Sequence, residues 1–269
     1  MESIKKEMKI NTSASPALFV SHGSPMNAIE QNSYTQDLNS IGKELNTVDA
    51  IVVISAHWQT NGVTVTASEN LSTYHDFRGF PDELFQVRYP AKGAINLIPE
   101  IEQLIGKPLL KDKNRGLDHG AWGMLVHLFP NATIPILQIS IDYNKTYAQH
   151  YELAKNLVAL RNKNILLLFS GNVTHNFSHA NFHNINAKPL EWAIKFDEEI
   201  KNAILKNDTD FFIHIDKKSD VYIINHPTPE HYIPIFYIIG IRIKDDKLTF
   251  THMSWQYDTI SMRHILFNS

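Results

Sequence analysis

Cysteine is missing from this chain of 269 residues. That excludes disulfide scaffolds, Cys-ligated zinc, iron–sulfur clusters and thiol nucleophiles. An excess of positive charge is missing as well: 25 Lys+Arg stand against 28 Asp+Glu, for a net charge of −3. With no long basic run, the electrostatic footprint of a nucleic-acid binder is absent. Long apolar runs are also lacking. The longest, residues 232–241, contains Pro234 and falls well short of the roughly 18 residues that span a bilayer. The first fifteen residues, MESIKKEMKINTSAS, are polar and charged, without the apolar segment of a secretory signal. A cytoplasmic protein that binds neither membrane nor nucleic acid is the expectation. No heptad or amphipathic tail marks an interface, so monomer and homodimer both stay open.

What remains is a chain with a 43% apolar composition, long enough to bury a large core. Residues 1–15 read as a loose lead-in to one domain that takes in the whole of 1–269. Short β-branched or leucine-rich runs at 17–20, 50–55, 63–67, 134–141, 164–169 and 248–253 predict strands. Segments of helical period lie between them at 34–45, 95–105, 148–160 and 190–205. Uninterrupted apolar strands such as 164–169 indicate burial on both faces. The pattern predicts an α/β fold with a mostly parallel central sheet sandwiched by helices.

Histidine is abundant, with 14 residues, about one in 19. Without thiolates, a metal site here must use nitrogen and oxygen donors, and neutral imidazole is the commonest of these. His22, His57 and His175 each follow a predicted strand, and small residues (Gly23, Ser24, Ala56, Gly171) stand beside them. In open α/β sheets ligands bind beyond the carboxyl ends of the strands, so three imidazoles there can converge on a metal. A fourth candidate lies in residues 226–232, where Thr228 as N-cap and Pro229 at the first helical position would put Glu230 and His231 in the first turn of a helix. Either side chain can face the crevice, with His226 kept to the loop behind. A fifth is His119 beside Asp118, suited to acid–base work if the carboxylate manages the imidazole; Asp118 as a plain helix cap is the alternative. His127, His150, His214, His252 and His264 fall within periodic segments and are expected to be structural or surface residues. His179 and His183 are expected in a loop.

The segments SHGSP (21–25), SAHW (55–58), HDFRGFPDELFQVRYPAKG (75–93), LDHGAWGMLVHLFP (117–130), PILQISID (135–142), SGNVTHN (170–176) and HPTPEHYIP (226–234) occur in this order. Together they resemble the DODA-type (4,5-DOPA extradiol) aromatic ring-opening dioxygenases, of the class III extradiol superfamily that includes the protocatechuate 4,5-dioxygenase β subunit. The likeness covers residues 17 to 240.

The resemblance implies a non-haem metal enzyme that cleaves a catechol such as L-DOPA beside its hydroxyls, with O2 as co-substrate. It implies His22, His57 and His231 as metal ligands, His175 as a ligand or a metal-proximal acid/base, and His119 as the proton-handling histidine on the substrate side. Zn2+ is expected as a bound ion and Fe2+ as the ion for ring opening. Zinc fits the same nitrogen donors but has no redox chemistry. In the protocatechuate branch the third ligand is a carboxylate, which keeps Glu230 as the alternative to His231. Phe77, Phe80 and Trp122 are candidates for contact with the substrate ring. The competing functions are a zinc-dependent hydrolase, for which no HExxH pattern is found, and a non-catalytic metal-binding scaffold of the same fold.

Overall fold

The apolar runs become strands because β-branched and leucine side chains fit a pleated surface covered on both sides. The computed structural model describes residues 14–269. Its strands are β1 (Ala17–Ser21), β2 (Ala50–Thr60), β3 (Thr64–Thr66), β4 (Leu110–Asp112), β5 (Ile136–Asp142), β6 (Ile165–Gly171), β7 (Lys247–Thr249), β8 (Trp255–Gln256), β9 (Ile260–Ser261) and β10 (His264–Asn268). Eight of them form one sheet in the order β4-β3-β5-β2-β6-β1-β10-β7, and β8 and β9 make a separate ribbon. The central four, β5-β2-β6-β1, run parallel. Antiparallel pairings appear only toward the edges, where β3 joins β5, β10 joins β1 and β7 joins β10.

Side chains alternate along the central strands and feed two cores. On one face Val52, Ile54, Leu167 and Phe169 pack beneath helices; on the other, Ile51, Val53, Leu166 and Leu168 do the same. The main helices are α1 (Ser33–Glu44), α2 (Asp82–Gln86), α3 (Ile98–Ile105), α4 (His119–Leu128), α5 (Tyr147–Leu157) and α6 (Glu191–Lys206). Three short turns, α7 (Thr209–Ile213), α8 (Ile215–Lys218) and α9 (Tyr222–Asn225), lead to α10 (Pro234–Gly240). The apolar stripes of α3, α5, α6 and α10 cover the first face, and those of α1 and α4 cover the second. None of these helices is long and apolar enough to cross a membrane.

Helix starts follow local chemistry. Asn32 and Thr35 form a reciprocal capping box on α1, and Thr146 and Gln149 form one on α5. Asp118 caps α4, its Oδ1 accepting from the Ala121 amide at 3.1 Å. The expected helix start at Thr228 is not found. Residues 229–233 make only a turn and α10 begins at Pro234; the Thr228 hydroxyl donates to Glu230 (2.8 Å). The strand expected over 248–253 shrinks to β7, ending at Thr249.

Of the lead-in expected over 1–15, residues 1–13 lie outside the described residues. Ser15 is already part of the fold: it is buried, its amide donates to the Arg161 carbonyl (2.7 Å), and its own carbonyl accepts from Arg161 Nε (2.6 Å). Arg161 also forms a buried ion pair with Asp246 at 2.6 Å.

One irregularity positions the site. In the pairing of β2 with β5, Ile54 faces Ile139 but Gln59 faces Ile141, so five steps along β2 match two along β5. The bulge spans residues 55–58. His57 therefore sits inside a strand that runs on to Thr60, rather than after its end as the sequence suggested. A bulge re-aims the side chains it carries, here toward the carboxyl ends of β1 and β6.

Candidate metal centre

His22 follows β1 directly, and its amide donates to the Gly171 carbonyl at the end of β6 (3.0 Å). Its Nδ1 lies 2.9 Å from Ser170 Oγ, and that hydroxyl donates its own proton to the Gly120 carbonyl (2.6 Å). Ser170 can therefore only accept from His22, so Nδ1 carries the proton and Nε2 keeps a lone pair. His57 Nε2 stands 3.0 Å from His22 Nε2, and its Nδ1 is 3.6 Å from Asp76 Oδ2. His231 donates through Nδ1 to Glu230 Oε1 at 3.0 Å, while its buried Nε2 has no hydrogen-bond partner among the described residues. Its ring lies 5.2 Å from that of His22 and 5.0 Å from that of His57.

Two of these imidazoles, His22 and His231, thus have an acceptor at Nδ1, while Asp76 stands beyond hydrogen-bond distance of that of His57; the Nε2 atoms of His22 and His57 stand face to face. Two facing lone pairs at 3.0 Å repel unless a proton or a cation stands between them. A metal ion about 2.0–2.1 Å from each nitrogen would place the pair at about this separation. An outer acceptor on Nδ1 is the usual companion of metal-bound histidine. Burial holds His22, His57 and His231 well below the usual imidazole range, and neighbouring imidazoles push each of them further down. All three are neutral at pH 7, the form that ligates.

Close approach of these elements depends on two glycines. A Cβ on Gly120 would lie 2.5 Å from Ser55 Oγ and 2.8 Å from His57 Cδ2, and one on Gly171 would lie 2.5 Å from the His231 carbonyl. The first lets α4 rest on the bulge of β2. The second lets the chain before α10 cross the end of β6.

His119 opens α4 beside His57, with ring centroids 3.9 Å apart. One ring nitrogen from each of His22, His57 and His119 lies within 4.8 Å of the others, a grouping that could hold a metal ion. The carboxylate that manages His119 is Asp76, not the adjacent Asp118: Asp76 Oδ1 accepts from both the His119 amide and Nδ1, each at 2.9 Å. Burial would raise Asp76, but the hydrogen bonds and charge of His119 outweigh it and hold the carboxyl down to about 2. Asp118 is spent on its cap and on Ser55 (2.7 Å) and Gln138. His175 stacks on His231 with centroids 3.6 Å apart and planes 6° apart, and burial pushes it down to about 4.

A cavity of about 380 Å³ opens over these five histidines and Asp76. Of the aromatic candidates, Phe77 and Phe80 line it. Trp122 does not: its ring is fully buried behind the wall, and its indole N–H donates to the Tyr74 carbonyl at 2.9 Å. Glu230 does not reach the cavity either, being turned onto Thr228 and His231. The other histidines stand apart. His127, His150 and His226 are buried against the Asn27 carbonyl, the Tyr237 hydroxyl and the Val173 carbonyl, and His183 is exposed in a loop. Sequence reasoning overlooked Asp76, Phe177, Phe182 and Tyr257. Asp76 lies within the quoted 75–93 segment, but nothing in the order of residues pairs it with a histidine 43 positions on.

Residues 15–267 match the family described as the catalytic LigB subunit of aromatic ring-opening dioxygenase. A 4,5-DOPA dioxygenase extradiol of Escherichia coli K12 is 38% identical over 97% of this chain and 98% of its own. The protein of the same description from Beta vulgaris is 32% identical over 93% and 96%. A crystal structure of an uncharacterized Escherichia coli K12 protein superposes with a TM-score of 0.82 at 35% identity, covering 94% of this chain and 99% of that one. The chain belongs to the LigB family of aromatic ring-opening dioxygenases, among its 4,5-DOPA extradiol members, and is an extradiol dioxygenase.

Proposed function

We propose that this dioxygenase opens the ring of a catechol such as L-DOPA at a single divalent ion held by Nε2 of His22, His57 and His231, with Fe2+ as the working metal. The observation that carries the ligand set is the 3.0 Å approach of two Nε2 atoms, beside the buried, unpartnered Nε2 of His231. Iron, when bound, supplies the redox chemistry that couples O2 to the ring, and Zn2+ fills the same donors without it. Glu230 orients His231 from outside rather than ligating.

The protein's own part is positioning and proton handling. His175 and His231 are stacked in parallel planes, so their ring nitrogens point side by side and do not converge on one point. This favours His175 as an acid/base over the ligand role also considered for it. Asp76 fixes the Nδ1–H tautomer of His119 and leaves Nε2 as its basic atom. The two hydroxyl protons of a catechol seated over the site are taken up by His119 Nε2 and His175, and returned as the ring opens. Phe77 and Phe80 flank the substrate and limit its access to water.

The test is anaerobic metal removal, reconstitution with Fe2+, and O2 uptake with L-DOPA while visible absorbance is recorded. Uptake with a yellow ring-opened product is expected, absent with Zn2+ and absent in His57→Ala. No uptake over a panel of catechols, with iron shown to be bound, overturns the proposal and favours a hydrolase or a scaffold.

A further inference from the structure

The floor of the cavity is accounted for by the imidazoles and Asp76; the rest of the wall is largely apolar, and its Phe177, Phe182 and Tyr257 have no role in that chemistry. An aromatic run starts at the site and leads outward. Phe177 stands 4.3 Å from His175, Phe182 stands 5.5 Å from Phe177, and Tyr257 stands 5.3 Å from Phe182. All three line the same cavity as the histidines. Phe177 and Phe182 are 49% and 55% exposed. Two adjacent phenyl rings left half in water beside a catalytic cavity form the kind of apolar patch that marks a ligand contact.

Backbone conformation points to the same place independently. Tyr257 and Asp258, which follow β8, have φ of +52° and +60°. Bulky non-glycine residues rarely adopt this left-handed region, because Cβ crowds the carbonyl. The turn is held from outside: Tyr257 N–H donates to the Ile185 carbonyl (3.0 Å), Asn181 N–H donates to the Tyr257 carbonyl (3.2 Å), and Leu190 N–H donates to the Asp258 carbonyl (3.0 Å). These bonds latch the loop that carries Phe182 to the turn that carries Tyr257. Strain persists where surrounding structure over-determines it, and it collects at ligand clamps. Glycine would make this turn without strain; what tyrosine adds is a ring in the cavity wall.

We infer that Phe177, Phe182 and Tyr257 form a subsite for an apolar substituent on the catechol ring, so that alkyl- or aryl-substituted catechols bind more tightly than L-DOPA and other catechols with a charged side chain. The inference rests on the proposed binding of a catechol at the metal centre. A carboxylate placed between the phenyl rings of Phe177 and Phe182 would give up hydration without gaining a partner from them, whereas each methylene placed there leaves water.

The test is calorimetric titration of the Zn2+-loaded protein, which binds without turnover, with catechol, 4-methylcatechol, 4-ethylcatechol, 4-propylcatechol and 3-(3,4-dihydroxyphenyl)propionate. Each added methylene is expected to lower Kd by about threefold to fourfold. The propionate is expected to bind no more tightly than 4-methylcatechol. In Phe177→Ala/Phe182→Ala the series should flatten to less than about twofold per methylene, and Phe182→Ala alone, a change at an exposed ring, should give an intermediate slope even if the double variant does not fold. A flat series in the unaltered protein, an unchanged slope in the variants, or tighter binding of the propionate than of 4-propylcatechol overturns the subsite. Failure of catechol itself to bind the metal-loaded protein removes the catechol proposal, and the subsite with it.

Discussion

Asp76 holds His119 at two points, its Oδ1 accepting from both the backbone amide and Nδ1 at 2.9 Å, while its Oδ2 lies 3.6 Å from Nδ1 of His57. One carboxylate therefore faces the Nδ1 side of a proposed ligand and of the proposed proton-handling residue at once. The hydrogen bond fixes His119 in the tautomer that leaves Nε2 free, and the carboxylate charge favours a proton on the near side of His57.

Replacing that carboxylate by an amide tests the arrangement. Asp76→Asn keeps an oxygen for His119 but can present N–H donors to His57 Nδ1, which favours the tautomer that cannot ligate. We expect kcat/KM in O2 uptake to fall by about 10- to 100-fold, and Zn2+ affinity in a chelator competition to fall in the same direction. Values within twofold of the unaltered enzyme on both measurements would show that Asp76 is a bystander.

Gly120→Ala probes the contact between α4 and the bulge of β2. The added Cβ would stand 2.8 Å from His57 Cδ2 and 2.5 Å from Ser55 Oγ, so His57 must shift or α4 must lift. The metal site should lose about tenfold or more in affinity, with stability falling by about 1–3 kcal/mol from overpacking. Chelator competition and thermal unfolding read the two effects separately; unchanged metal affinity counts against His57 as a ligand.

At Tyr257, two replacements that both remove the ring isolate the backbone. With φ at +52°, Tyr257→Gly should be more stable than Tyr257→Ala by about 1 kcal/mol, since only alanine retains a crowded Cβ. Thermal unfolding of the two variants side by side decides it. An alanine variant at least as stable as the glycine variant would mean that the turn relaxes and stores no strain.

His150 gives a pH dependence away from the metal centre. Its ring is buried against the Tyr237 hydroxyl at 3.0 Å. Burial first, and Lys145 second, push it down to about 4, whereas an unfolded histidine titrates near 6.5. Between those values the unfolded chain binds the extra proton. The stabilising effect of the neutral ring is thus complete above pH 6.5 and is lost as pH falls toward 4, on the order of 3 kcal/mol in all. His150→Gln should show a shallower fall in denaturant midpoint over this window, and an identical slope would refute the assignment.

The apolar runs carried enough information to predict the parallel centre of the sheet, because a strand buried on both faces cannot alternate. They also placed His22 and His175 near strand ends on one side, since parallel strands share a carboxyl edge. The order of motifs then identified the family. Contacts between segments distant in the chain were not legible there. Asp118 looked like the partner of His119 because it is adjacent, yet a helix cap took it, and the partner came from 43 residues away. His57 proved to lie in a bulge whose register depends on β5. Trp122 looked like a substrate contact, but α4 turns its ring into the core. Glu230 and His231 were equivalent in sequence until the Thr228 hydroxyl claimed the carboxylate. Local chemistry decides where elements begin and which faces they bury. Which side chain meets which is decided by the docking of those elements, and a linear sequence of short-range preferences carries little of that information.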